Sequence, residues 1–147
     1  MLGTKKNGFG RGNMTIVWND EAHCLGLEDI DADHMKKIEA INKVESLIDS
    51  QAASQKIGQA LEDLIQGTAS HFAREEDLMR RTKYPALTKH AELHKEFLER
   101  LGRLHASSFK NDQQIDARAE LEFFSDWMSV HIQNADRNYV HWLHPEN

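Results

Sequence analysis

Two stretches of this chain repeat inward-type positions alternately three and four apart, the spacing that draws one continuous stripe down an α-helix. In the first, Ile57, Leu61, Leu64, Thr68, His71, Glu75 and Leu78 form an unbroken seam; in the second, Leu87, His90, His94, Phe97, Leu101 and Leu104 do the same. A third seam runs Leu121, Phe124, Met128, His131, Ala135 and Asn138. A shorter one runs His34, Ile38 and Ile41, with Glu45 breaking it before Ile48. Each stripe needs an apolar partner, and four stripes bury one another in a bundle. The spacing therefore predicts an all-α fold, an up-down-up-down antiparallel four-helix bundle, with helices over about 32–50, 54–80, 86–107 and 114–143. Tyr84 and Pro85 mark the break between the second and third helices, because proline disfavours helix in the residue before it and is accepted in a first helical turn. The polar run SFKNDQQ supplies the third connection.

With 147 residues the chain makes one domain with room for a proper core. It has only two prolines, Pro85 and Pro145, and 29% charged residues, which suits a solvated helical bundle. A net charge of −6 without a basic cluster argues against a nucleic-acid partner. No apolar run approaches the ~20 residues of a membrane span. The single cysteine, Cys24, cannot form an internal disulfide, and the start lacks the apolar core of a secretory signal. A soluble, cytoplasmic protein is expected, and its charged surface suits a monomer. Residues 1–13 carry four of the eight glycines and no periodic face. They are expected to form a flexible tail, with Met14 as the natural start and the bundle domain over 14–147. Residues 15–31 hold Trp18, Leu25, Leu27 and Ile30 without helical spacing, and read as an ordered arm across the bundle. Asp31 is expected to cap the first helix.

The seams carry polar groups where a bundle should carry leucine: His34; His71 with Glu75; His90 with His94; and His131. Asp136 lies one step past the seam position Ala135, about 100° further round an α-helix. A lone inward histidine is usually a hydrogen-bonded core residue. Seven such groups are different, because a buried polar group without a partner costs about 1–3 kcal/mol and the sum approaches the whole stability of a domain, about 5–15 kcal/mol. Cations satisfy five imidazoles and two carboxylates better than these groups satisfy one another. One zinc ion takes about four ligands, so two ions sharing carboxylates fit better. The mixed donor set suits iron, with manganese, cobalt and zinc open on ligand type alone.

The segments IDADH, HFAREEDLM, YPALTKHAELH and WMSVHIQNAD, with their ordered H, HxxxE, HxxxH and HxxxxD, resemble the hemerythrin family, most of all its bacterial single-domain members, over residues 16–143 or so. The resemblance implies two iron ions in a non-haem, oxo- or hydroxo-bridged diiron centre. His90, His94 and His131 would bind one iron, His34 and His71 the other, and Glu75 and Asp136 would bridge them. That fills about eleven of the twelve positions in two octahedra. The vacancy falls on the iron with two histidines, where dioxygen is expected to bind. Two ferrous ions, two carboxylates and one hydroxide sum to about +1, a charge that apolar surroundings can enclose. The function implied is reversible dioxygen binding for storage, delivery or scavenging, with no side chain acting as acid or base and no enzymatic turnover beyond weak oxidase or peroxidase activity. An oxygen-consuming recipient would be its partner. Phe72, Trp127, Met128 and Ile132 adjoin the ligands and are the expected wall of the dioxygen pocket, although any bundle needs such residues for packing. The Met128 position is commonly leucine or another aliphatic in the family, and a thioether there is oxidisable.

Three rivals are weighed against this reading. Ferritin-like diiron enzymes use paired E-x-x-H motifs, and the chain has none. A redox enzyme on the same fold, reducing peroxide or nitric oxide or repairing iron centres, shares the ligands; a pocket base or a cysteine pair would favour it, and neither is legible. An oxygen or iron sensor would need a separate partner protein. His23, His105, His141 and His144 have no partners at convincing spacings, and Cys24 reads as a small apolar residue.

Overall fold

A computed structural model describes residues 16–110 and 116–145. The expected tail over residues 1–13 and most of the SFKNDQQ connection lie outside them. The described residues form a four-residue helix α1 (Asp20–His23), then α2 (Glu28–Asp49), α3 (Ser54–Arg81), α4 (Leu87–Lys110) and α5 (Ala117–His131), which continues through a π-helical turn (Ile132–Asp136) into α6 (Arg137–Leu143). The α5, π and α6 segments together make the fourth long rod of an antiparallel bundle. Among the described residues no helix is long and apolar enough to cross a membrane.

The first and second seams and that of the fourth helix pack where their periodicity places them, the last as far as His131. Beyond it the expected seam position Asn138 is exposed and Tyr139 and Val140 are buried instead, because the π turn shifts the register by one residue. Ile38, Ile41 and Val44 of α2 meet Leu61 and Leu64 of α3, Phe97, Leu101 and Leu104 of α4, and Leu121 and Phe124 of α5 in one continuous apolar core. Most of this core lies in the half of the bundle remote from the seam histidines, with Phe72, Met128 and Ile132 carrying it up to them, so the polar groups are gathered at the other half. Two helix ends are closed by the same device. After α2, Gln51 adopts φ 57°, and the N–H groups of Gln51 and Ala52 reach back to the carbonyls of Ile48 and Leu47. After α3, Lys83 adopts φ 61°, and Lys83 and Tyr84 do the same to Arg80 and Met79. Such left-handed caps satisfy carbonyls that the helix itself leaves open. The Asp116 carboxylate starts α5 by accepting from the N–H groups of Arg118 and Ala119.

The arm is ordered as expected but differs in detail. It contains α1, which the irregular apolar spacing did not predict, because four residues are too few to show a period. Its start is tied to α2 by two bonds, Ile16 N–H to Asn42 Oδ1 at 3.0 Å and Asn42 Nδ2–H to the Ile16 carbonyl at 2.8 Å. His23 is buried, in contrast to the expectation that it has no partner. Its Nδ1 accepts from the Asn19 N–H at 3.0 Å and its Nε2 lies 3.3 Å from Ser129 Oγ on α5. The capping role expected of Asp31 is also corrected. The helix begins at Glu28 with Leu27 at the N-cap and no side-chain cap bond. Asp31 sits further in, and its carboxylate accepts from the Leu25 and Gly26 N–H groups at 2.9 and 3.1 Å. It thus fastens the turn before the helix. Gly26 takes φ 85° there, a conformation that costs glycine little.

Candidate metal centre

The six polar residues singled out in the seams and Asp136 converge in one half of the bundle, and all seven are buried. They fall into two groups that share Glu75. Glu75, His90, His94, His131 and Asp136 form one, His34, His71 and Glu75 the other, with the ligand atoms of each within 4.8 Å of one another. No cation is needed to see how the carboxylates are set. Glu75 turns Oε1 to His90 (2.9 Å) and His94 (3.1 Å), and Oε2 to His71 (3.4 Å) and His34 (4.0 Å). Asp136 turns Oδ1 to His90 (3.0 Å) and His131 (3.2 Å), and Oδ2 to His34 (3.1 Å). Each carboxylate therefore gives one oxygen to the three-histidine group and the other to the two-histidine group.

Two observations test whether cations fit this cage. Both ring nitrogens of His34, His71 Nε2, Glu75 Oε2 and both oxygens of Asp136 are buried and, although several lie close to one another, none is in a well-directed hydrogen bond, which native interiors rarely tolerate. The ring nitrogens His94 Nε2 and His131 Nε2 also face each other at 3.2 Å. Adjacent ligands at about 2.1 Å from an octahedral ion stand about 3 Å apart, and the contacts between 2.9 and 3.4 Å reproduce that edge length. The residues present fit a pair of cations.

Asp136 reaches the cage through the π turn. A π turn closes i→i+5 in place of i→i+4 and so absorbs one extra residue. Over Ile132–Asp136 the turn returns Asp136 to the face that His131 occupies. The α-helical register had left it about 100° away. The fit of the HxxxxD spacing to this turn was the missing step.

Outer contacts orient the imidazoles. His71 Nδ1 lies 3.1 Å from Asp33 Oδ2, which Arg74 holds in turn at 2.8 Å. His94 Nδ1 lies 2.7 Å from Glu76 Oε2. Each Nδ1–H donated outward leaves Nε2 free to face inward as a ligand. Phe72 stacks on His94 with ring centroids 3.7 Å apart and planes 2° from parallel, and Trp127 stacks on His131 at 4.4 Å and 12°. Met128 and Ile132 are buried in the apolar core. Sequence reasoning missed Asp33 and Glu76; both adjoin a seam residue, His34 and Glu75, which is the signal available for them.

The metal-free cage uses protons where it could use cations. Burial would raise Glu75, and the Asp136 charge adds to this, but hydrogen bonds from His71, His90 and His94 outweigh both and hold it well below the usual carboxylate range. Burial would likewise raise Asp136, and the His131 charge with bonds from His131, His34 and His90 holds it far below its ordinary value. His90 feels burial as a downward push, and its bonds to Asp136 and Glu75 carry it instead up to about 9. His131 moves the other way, since burial outweighs the pull of Asp136.

One further titratable residue, not legible in the sequence as a pocket group, is buried near the ligands. Lys37 is buried one turn after His34, with Nζ 4.4 Å from the centroid of the Phe72 ring. Its spacing from His34 placed it near the seam, but a lysine is ordinarily solvated. Of the other histidines, His105 Nε2 lies 3.5 Å from Glu62 on the surface, and Cys24 is exposed.

Bundle and cage define a class: a helical protein that holds cations between histidines and shared carboxylates inside its core. Residues 25–143 match the model of the hemerythrin HHE cation binding domain, and the chain belongs to the hemerythrin family. It is 32% identical over 128 residues to a bacteriohemerythrin of Pseudomonas aeruginosa, covering 85% of this chain and 79% of the relative. It is 29% identical over 127 residues to a bacteriohemerythrin of Stenotrophomonas maltophilia, with 85% and 79% covered. A myohemerythrin of Riftia pachyptila is 28% identical over 123 residues, with 84% and 89% covered. Among solved structures, the crystal structure of a leucine-to-phenylalanine mutant superposes with a TM-score of 0.77 at 21% identity, covering 84% of this chain and 93% of that one, and shows the shared fold. Membership implies non-haem iron as the natural cation of the cage.

Proposed function

We propose that this protein binds dioxygen reversibly at a pair of iron ions, for oxygen storage, delivery or scavenging. The observation that carries the reading is the asymmetry of the cage. A group of three histidines takes one oxygen of each carboxylate and a group of two takes the other, so of two octahedral ions one would be a ligand shorter than its neighbour. His90, His94 and His131 would hold one iron, His34 and His71 the other, with Glu75 and Asp136 across both. A bound pair of ferrous ions supplies the electrons that dioxygen takes up. The residues of this chain would hold the pair inside the bundle, with two histidines, His34 and His71, on the side where dioxygen would enter. Phe72, Trp127, Met128 and Ile132 would form the apolar wall. The bacteriohemerythrin and myohemerythrin names of the relatives support the same reading.

The test is the visible spectrum of iron-loaded, anaerobically reduced protein before air, after air and after the gas is removed again. A coloured oxygenated form that fades on removal is expected. His71→Ala strips a ligand from the open ion and should abolish most of that colour; an undiminished oxygenated spectrum in this variant would refute the ligand assignment. A second reading, redox turnover on the same fold, is favoured by Lys37, an acid-base group buried near the cage. Irreversible ferric conversion on first exposure to air would support it over reversible binding.

A further inference from the structure

Lys37 is the only lysine or arginine buried among the described residues. It has no carboxylate within 4.0 Å there, and its ammonium lies 4.4 Å from the centroid of the Phe72 ring. A ring face is a weak counter-charge for a buried ammonium. Burial pushes Lys37 down to about 8, and the opposing pull comes from Glu75, Asp136 and Asp33 at longer range. Asp33 is already engaged by Arg74 at 2.8 Å. Glu75 and Asp136 are the carboxylates that a metal pair would take. Two divalent cations between them reverse the local field, and the ammonium then has no counter-charge from the protein.

Space for one exists beside it. A cavity of about 330 Å³ opens between α2 and α3, with Lys36, Lys37, Gly67, Thr68 and His71 in its wall. Thr68 Oγ1 is buried and has no hydrogen-bond partner, although a hydroxyl carries both a donor and acceptor lone pairs. Of the two acids in the wall, Asp33 is paired with Arg74, and Asp63 is exposed, accepts only from the neutral Gln59 amide at 3.0 Å and keeps its charge, but is not among the carboxylates that act on Lys37. The buried groups left without a partner of their own are the Lys37 ammonium and the Thr68 hydroxyl. We propose that this cavity binds one small singly charged anion, served by the Lys37 ammonium and the Thr68 hydroxyl and set beside the metal pair, not on it. The inference rests on the two-metal reading for its charge balance, and it makes the anion a companion of metal loading.

Nitrate is the probe, because it is small, singly charged and a poor ligand for iron. Calorimetric titration of the iron-loaded protein should show one saturable site. Lys37→Met, which keeps the buried volume, should weaken it by about tenfold or more, the loss typical of removing one charged hydrogen-bond partner. Gly67→Leu gives a second handle that leaves the ammonium in place. Gly67 lines the cavity and a Cβ there meets no atom within 4 Å, so a leucine fits without displacing a neighbour and, by narrowing the cavity, should also weaken nitrate binding. Equal affinity in the parent and Lys37→Met, or no saturable binding in the parent, would overturn the proposal. Affinity that responds to His71→Ala but to neither of the other variants would place the ion on the metal and overturn it too. The dioxygen spectrum of the same parent sample separates the two readings. A normal spectrum without a nitrate site defeats the anion proposal alone, whereas an absent spectrum defeats the dioxygen reading and leaves the titration to decide this one.

Discussion

Asp33 and Glu76 never reach the interior of the cage, yet each settles which nitrogen of a histidine does. With Nδ1–H directed at a carboxylate, His71 and His94 present Nε2 inward in one tautomer. Glu76→Gln keeps the shape and removes the charge, and should lower metal affinity about 10- to 100-fold. Competition against a chelator measures this, and an unchanged constant would mean that stacking on Phe72 alone aligns His94. His90 supplies a second residue-scale prediction. Its folded, metal-free value is raised to about 9, so below that pH the empty cage carries a proton that an entering cation must expel. Apparent metal affinity should therefore rise with pH up to about 9 and level off above it. Loading curves that stay flat from pH 6.5 to 9 would show that His90 is not protonated in the empty cage. The empty fold responds in the opposite direction. A raised histidine stabilises it below the unfolded value of about 6.5, and that contribution is lost as pH rises through 9.

At the scale of elements, the fourth rod decides whether the cage has its second bridging carboxylate. A regular α-helix returns to one face after three or four residues, so a carboxylate five residues after His131 needs the wider π turn over Ile132–Asp136. Gln133 within the turn is exposed. Deleting it should convert the turn to α-helix and leave the carboxylate four residues after His131, still on the cage face. Two metals per chain should be retained, as read by metal analysis after gel filtration. Loss of one metal would show that the π geometry aims the carboxylate in a way register alone does not. The arm bears on the same segment. Arg137, next to Asp136, donates to the Glu21 and Ala22 carbonyls at 3.1 and 3.2 Å, so α1 is fastened where the π turn ends. Nothing in the apolar spacing of residues 15–31 marks that contact, because it is made by backbone carbonyls that every residue carries.

For the whole molecule, the apolar core holds one half of the bundle and the cage interrupts the other. Buried nitrogens and oxygens without well-directed hydrogen bonds make the empty cage a weak point, and cations that bind only the folded state stabilise it by mass action. A cation at a thousandfold excess over its dissociation constant adds about 4 kcal/mol, on the order of 10 °C in Tm for a domain of this size. Thermal unfolding with and without a chelator tests this, and coincident melting curves would count against metal in the cage. The sequence by itself determined the helical class, the four seams and six of the seven inward groups, because burial along a helix is written as a three-four period and polar residues in that period stand out. It also supplied Asp136, but only through a family motif. Tertiary structure alone decided that each carboxylate splits its oxygens between two histidine groups, that Asp33 and Glu76 meet ring nitrogens on neighbouring helices, and that Lys37 is inside. Those relations depend on the relative rotation and height of different helices, which periodicity within one helix does not encode.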